Sequence, residues 1–256
     1  NALRFSALLL LQKETAPLSL FNTELEIRVH FMESFTICIA GLNVQVHPMF
    51  LSTKEYCKKY LTEKEAEISV TVTPEDLRYE QEMLDIEAAE EGLKRRKFTD
   101  PFLERAAIQR AVAEFLFDRD VLMLHGSAIA LDGRGYLFMA RSGTGKSTHT
   151  RLWREVFGDR AVMINDDKPF LKIDSTGVMA YGSPWSGKHG LDTNISLPLK
   201  GICFLRRGSV NSIRQVNPEG LIDALLHQTF MPEDAAGQEK AVALVNSLAQ
   251  TVPLWD

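Results

Sequence analysis

The sequence predicts an α/β protein whose core is built around a glycine-rich loop, preceded by a small α+β module. Three observations predict it. The string Ala140–Ser147 (ARSGTGKS) lies between a short apolar strand run and a helix-forming segment. Around that string the order is strand, loop, helix, strand, the periodicity of an α/β unit. Upstream, β-branched runs are separated from this core by the highly charged stretch Glu87–Lys97 (EAAEEGLKRRK).

Residues 1–31 carry no assignable element and are read as an uncertain N-terminal extension, with Met32 as the natural start. The apolar run Ala7–Leu11 is far shorter than the roughly 20 residues that cross a bilayer, and no small-residue cleavage site follows it. Phe35–Ala40 reads as a buried strand ended by Gly41, Asn43–Val46 as a second strand, Thr53–Tyr60 as a short helix and Ile68–Thr73 (ISVTVT) as a third strand. Residues 32–97 are therefore expected to form the α+β module and residues 98–256 the second domain. Lys94, Arg95, Arg96 and Lys97 at the boundary read as a solvated turn or helix end.

Pro101–Asp118 predicts a helix, with Phe102, Ala106, Val112 and Phe115 close to one face. Val121–Leu124, Ser127–Leu131 and Tyr136–Met139 are strand candidates, the last two joined across an Asp132-Gly133 turn. Ser147–Phe157 is the helix after the loop and Ala161–Ile164 the next buried strand. Further strands are expected at Phe170–Ile173, Val178–Tyr181 and Ile202–Leu205, and helices at Pro218–Gln228 and Glu233–Leu248. The chain closes on a strand-like run, Val252–Asp256, which has no terminator and leaves a continuation open.

With 45% hydrophobic and 25% charged residues, the composition is that of an ordinary globular protein and gives no sign of a disordered, fibrous or membrane class. A net charge of -5 argues against a general nucleic-acid partner, whose phosphates call for a basic excess. Cys38, Cys57 and Cys203 are isolated, without metal-ligand spacing, so neither a disulfide framework nor a zinc site is expected and a reducing cytoplasm fits best.

The chemistry concentrates at two places. Ser142, Gly143, Thr144, Gly145, Lys146, Ser147 and Thr148 have the residue types of a phosphate cradle. Glycines let successive N–H groups turn inward, and the helix start adds its positive end. Lys146 is placed to neutralise β and γ phosphates and Ser147 to hold their magnesium. Ala140 stands where this motif has glycine, which a negative φ would permit.

Asn165-Asp166-Asp167 ends the next strand. Adjacent carboxylates repel, and magnesium with a lysine offsets that, leaving one for metal and one to accept a proton; two aspartates capping a turn before Pro169 is the plainer alternative. His125 can orient an aspartate or be structural. Gly182–Lys188 (GSPWSGK) reads either as a substrate loop offering Trp185 and Lys188 or as a strand connection with a core tryptophan. Arg206 and Arg207 suit a transferred phosphoryl group or plain solvation.

With His125-Gly126, the loop Ser142–Ser147 and the pair Asp166-Asp167 in this order and spacing, roughly residues 100–230 resemble the catalytic domain of HPr kinase/phosphorylase. That family belongs to a P-loop group like phosphoenolpyruvate carboxykinase. The resemblance implies an α/β fold with a P-loop core and mixed sheet. It also implies magnesium-dependent transfer from ATP, or GTP, to a serine-like hydroxyl. Carried over, it makes Asp166 the proton acceptor with His125 beside it, Lys146 the phosphate lysine, and Ser147 with Asp167 the magnesium side. The family's glycine-rich signature after the carboxylates is absent, and Trp185-Ser-Gly-Lys188 stands there instead, which marks a divergent, HPr-kinase-like chain. The partners implied are a nucleoside triphosphate and an unnamed hydroxyl-bearing acceptor: a protein, a peptide or a small molecule. A nucleotide sensor without transfer and a carboxykinase-like enzyme are the alternatives, and the oligomeric state stays open.

Overall fold

Alternating burial explains the first sheet. In β1 (Phe35–Ile39) and β2 (Leu42–His47) every second residue is buried, so one face packs inward and the other meets water. The hairpin turns at Ala40-Gly41, with φ of 49° and 86°, the paired positive values that suit a tight two-residue connection. α1 (Leu51–Tyr56) and a short 3-10 turn lead to β3 (Ile68–Thr71), which joins β2 in parallel. The computed structural model describes residues 33–90, 92, 94–141 and 143–256. The extension at 1–31 and Ser142 of the glycine loop lie outside the described residues.

Two helices follow. α2 (Pro74–Glu90) is not announced by the apolar pattern, because only Leu77 and Glu80 are buried along it. Its signal is polar: the Thr73 N–H donates to Asp76 Oδ2 (2.8 Å) and the Asp76 N–H to Thr73 Oγ1 (3.3 Å), with Pro74 at the first helical position. α3 (Asp100–Phe117) buries Leu103, Ala107, Ile108, Val112, Ala113 and Leu116. This corrects the expected apolar face, since Phe102 and Phe115 remain 39% and 45% exposed. The helix carries apolar residues nearly all round, and the denser row won the core. Phe102 instead stacks on Phe98, ring centroids 4.7 Å apart. Glu104, fully buried, ties α3 to the first module by accepting from the Met49 N–H and the Thr53 hydroxyl.

The main sheet is mixed. β4 (Val121–Met123), β5 (Ser127–Leu131), β6 (Arg134–Met139), β7 (Ala161–Asn165), β8 (Phe170–Asp174), β9 (Gly177–Tyr181) and β10 (Ser196–Phe204) run in the order β4-β8-β9-β10-β6-β5-β7. The predicted Asp132-Gly133 turn joins β5 to β6 with φ of 49° and 74°. β10 is the hinge of the sheet: its first part pairs antiparallel with β9, and beyond an irregularity between Leu199 and Gly201 it pairs parallel with β6. β11 (Gln215–Val216) and β12 (Leu254–Trp255) extend the sheet on β10.

α4 (Lys146–Phe157) follows β6, and α5 (Ile222–Leu226) and α6 (Ala235–Thr251) lie between β11 and β12. The helix expected over Pro218–Gln228 is a 3-10 turn at Pro218–Gly220 and then α5, while α6 begins after Asp234, whose carboxylate caps the Gly237 N–H at 2.9 Å.

The protein is thus an α/β fold with a mixed sheet. Met32–Asp256 form one compact unit. One buried cluster joins β5, β6, β8, β9 and β10 to α5 and α6, and another joins β1–β3 to α3, Phe170 and Trp185. No helix among the described residues is long and apolar enough to cross a membrane. The three cysteines are free thiols.

Candidate functional site

The glycine loop is held from both sides. Phe138 of β6 packs against His149 of α4 (4.4 Å between centroids), and the Trp153 indole N–H donates to His149 Nε2 at 3.2 Å, so the strand before the loop and the helix after it are fastened together. Between them Gly143 and Gly145 take φ of 72° and 124°. A Cβ at either would meet nothing within 4 Å, so the backbone angle, not space, is what asks for glycine. Ala140 is absent from the positive-φ residues, and alanine is therefore accommodated there without strain. Its carbonyl accepts from Lys146 Nζ at 2.9 Å.

The N-cap of α4 is Gly145, which has no side chain to cap with, and the backbone ladder begins with the His149 N–H on the Gly145 carbonyl at 2.9 Å. The N–H groups of Lys146, Ser147 and Thr148 precede that ladder, at the positive end of a 12-residue helix. This arrangement suits an anion. Arg207 reaches back from beyond β10 and donates to the Gly143 carbonyl at 2.8 Å, bracing the loop, whereas Arg206 is engaged by Asp256 at 2.6 Å.

The carboxylate pair is set by a residue that sequence reasoning missed. Asn165, fully buried, accepts on Oδ1 from the N–H groups of Asp167 and Lys168, each at 2.7 Å, and donates from Nδ2 to Ser183 at 2.9 Å. Ser183 in turn donates to the Lys168 carbonyl at 2.8 Å. The turn after β7 is thereby tied to Gly182–Ser186. Gly182 is obligatory, because a Cβ there would sit 2.0 Å from the Thr193 carbonyl oxygen. The signal for Asn165 was present in its type and place, an asparagine opening a turn before Pro169.

The two aspartates face different surroundings. Asp166 is 7% exposed, and its Oδ1 accepts from the Ser127 hydroxyl at 2.6 Å. Asp167 lines a cleft of about 1500 Å³. Its Oδ1 lies 3.4 Å from His125 Nε2, so the structure brings His125 to Asp167 and not to Asp166. The backbone helps: the Gly126 N–H donates to the Asp167 carbonyl at 2.9 Å. Gly187 packs on the other side, where a Cβ would come within 3.3 Å of the Asp167 Cβ.

Burial pushes the Asp167 carboxyl above the usual carboxylate range, against the pull of Lys168 and Lys146. Burial, then Lys168 and Lys146, push the His125 imidazole down to about 3, so the ring is neutral.

Lys168 and Lys188 line the same cleft, together with residues of α2 and α3, among them Met83 and Phe102, and with Met231. Lys188 is exposed at its rim. Trp185 borders it but is only 5% exposed: its indole N–H donates to the Arg105 carbonyl at 2.9 Å and its ring meets Phe170 edge-on. Among the described residues no group of three or more His, Cys, Asp or Glu is gathered as a metal cage. Magnesium carried by phosphates needs only one or two carboxylates. The buried Asp166 is linked through Ser127 to Thr150 of the helix that begins at Lys146 and Ser147.

No protein-family model matches the chain, and no curated protein matches it. Among solved structures it is similar to the Hpr(Ser) kinase/phosphatase from Coxiella burnetii. The match has 12% sequence identity and a TM-score of 0.28, and it covers 50% of this chain and 88% of that one. At that identity and score the likeness is distant structural similarity and nothing finer.

Proposed function

We propose that the protein transfers a phosphoryl group from a nucleoside triphosphate, ATP or GTP, to a hydroxyl on an acceptor that enters through the cleft. The observation that carries this reading is the division of the carboxylate pair, one aspartate on the loop-helix side and the other in the cleft. The loop N–H groups and Lys146 hold the triphosphate. Ser147 and Asp166 are the groups that would hold magnesium, which when bound neutralises charge on the phosphate oxygens.

What supports exchanging the two aspartates relative to the family-based expectation is their exposure. Asp167 lines the cleft beside a neutral imidazole and has a raised proton affinity, as suits a general base, while Asp166 is withdrawn behind it. Asp167 takes the hydroxyl proton, the acceptor oxygen bonds to the γ phosphorus, and the bond to the nucleoside diphosphate breaks with its electrons leaving on the diphosphate. Lys168 and Lys188 flank that exchange with positive charge.

The test is labelled-triphosphate transfer to candidate acceptors. Asp167→Asn is expected to lower transfer about 100-fold or more while nucleotide affinity changes little. Full transfer by Asp167→Asn would end the assignment. A parent protein that binds nucleotide but shows no acceptor-dependent turnover would favour the sensor reading.

A further inference from the structure

Ser127 and Thr150 play no part in the reaction above, yet both are buried, 0% and 1% exposed, between its two halves. Ser127 opens β5, where it pairs with Phe138 of β6, and its neighbour Ala128 pairs with Asn165 of β7. It therefore lies between the strand that delivers the glycine loop and the strand that delivers the carboxylates. Thr150 is one turn into α4, four residues after Lys146. Ser127 Oγ is 2.6 Å from Asp166 Oδ1 and 3.0 Å from Thr150 Oγ1.

Counting hydrogens gives this chain a direction. The Ser127 hydroxyl has a single hydrogen, and it goes to Asp166 Oδ1. Ser127 Oγ then accepts from Thr150, whose other partners, the carbonyls of Lys146 and Ser147, stand farther away at 3.4 and 3.3 Å. Donation runs from Thr150 to Ser127 to Asp166, and each bond polarises the next. A short hydrogen bond in a buried setting holds one carboxyl rotamer.

We infer that Ser127 and Thr150 are positioning residues that lock the Asp166 carboxylate to the first turn of the loop helix, keeping it in register with the Ser147 hydroxyl. The inference rests on the proposed magnesium side of the site. Partners of this kind, one bond removed from a metal ligand, set metal affinity by about 10–100-fold when lost. The bridge also explains why a hydroxyl residue follows His125-Gly126 in a strand whose next three residues, Ala128, Ile129 and Ala130, are apolar and buried.

The experiment is a magnesium titration of fluorescent ATP-analogue binding by the full chain, with a parallel titration in EDTA. Parent, Ser127→Ala, Thr150→Val and Thr150→Ser are compared. Thr150→Val keeps the shape and deletes only the donor; Thr150→Ser keeps the donor. The expected result is a rise of about tenfold in half-saturating magnesium for Ser127→Ala and Thr150→Val. Binding in EDTA should stay within about twofold of the parent, and Thr150→Ser should titrate like the parent. If Ser127→Ala does not fold, Thr150→Val decides. Parent-like magnesium titration in Thr150→Val, or equal loss of binding with and without magnesium, overturns the inference and leaves the proposed function standing. A parent that binds no nucleotide under either condition overturns both.

Discussion

His125 stands 3.4 Å from a carboxyl and is nonetheless neutral, and this has a consequence for stability. An unfolded imidazole takes its proton near pH 6.5, whereas the folded one does so only at about 3. Between those values the unfolded chain binds more protons, so this residue's contribution to stability falls as pH drops through the window and levels off below it. His125→Gln is therefore expected to lose less stability than the parent between pH 7 and pH 4.5 in urea denaturation; equal losses would refute it.

Trp185 poses a second question at this scale, between ligand and core. Its bond to the Arg105 carbonyl, an oxygen that the ladder of α3 also satisfies, predicts that Trp185→Phe costs about 1 kcal/mol in denaturation, the worth of one hydrogen bond, with nucleotide affinity unchanged. The glycine loop and the helix start after it were legible in the sequence because glycine at positive φ and a lysine-serine helix start form a local pattern. Asn165, Ser127 and the placement of Trp185 were not, since their partners Ser183, Asp166 and Arg105 lie 18, 39 and 80 residues away.

Among the elements, most strands were visible as apolar runs, and β5 matches its expected bounds from Ser127 to Leu131. α2 was hidden for a physical reason. It buries only Leu77 and Glu80, with Leu84 partly buried against the core, so no broad apolar stripe marks it, and its charged end was taken for a boundary. The Thr73-Pro74-Glu75-Asp76 string was the readable sign. α2 matters to the site because Tyr79, Met83 and Glu87 wall the cleft. The loop after β9 is equally constrained. Gly182→Ala would drive a methyl into the Thr193 and Ile164 carbonyls, 2.0 and 2.9 Å away, and is expected to cost on the order of 3 kcal/mol. Because Asn165 is bonded to Ser183, the same change should weaken magnesium-dependent nucleotide binding. A variant as stable as the parent would show that the loop shifts freely.

At the scale of the whole molecule, the α/β class was readable and the strand order was not. Nothing local in Ser196–Phe204 says that one strand serves β9 at its start and β6 at its end. That double service follows from long-range pairing, which periodicity does not encode. It also bears on biosynthesis. β6, which carries the glycine loop, is flanked by β5 as soon as it emerges, but its other flank is β10, and Arg207, which braces Gly143, comes later still. During translation the loop is made while half its frame is still unsynthesised, and non-local pairing of this sort is slow to form. Nascent chains stalled before Ser196 has left the ribosome are expected not to retain an immobilised nucleotide, and chains released at Asp256 to retain it, which pull-down of stalled complexes would measure. The glycine loop is local in sequence and late in assembly.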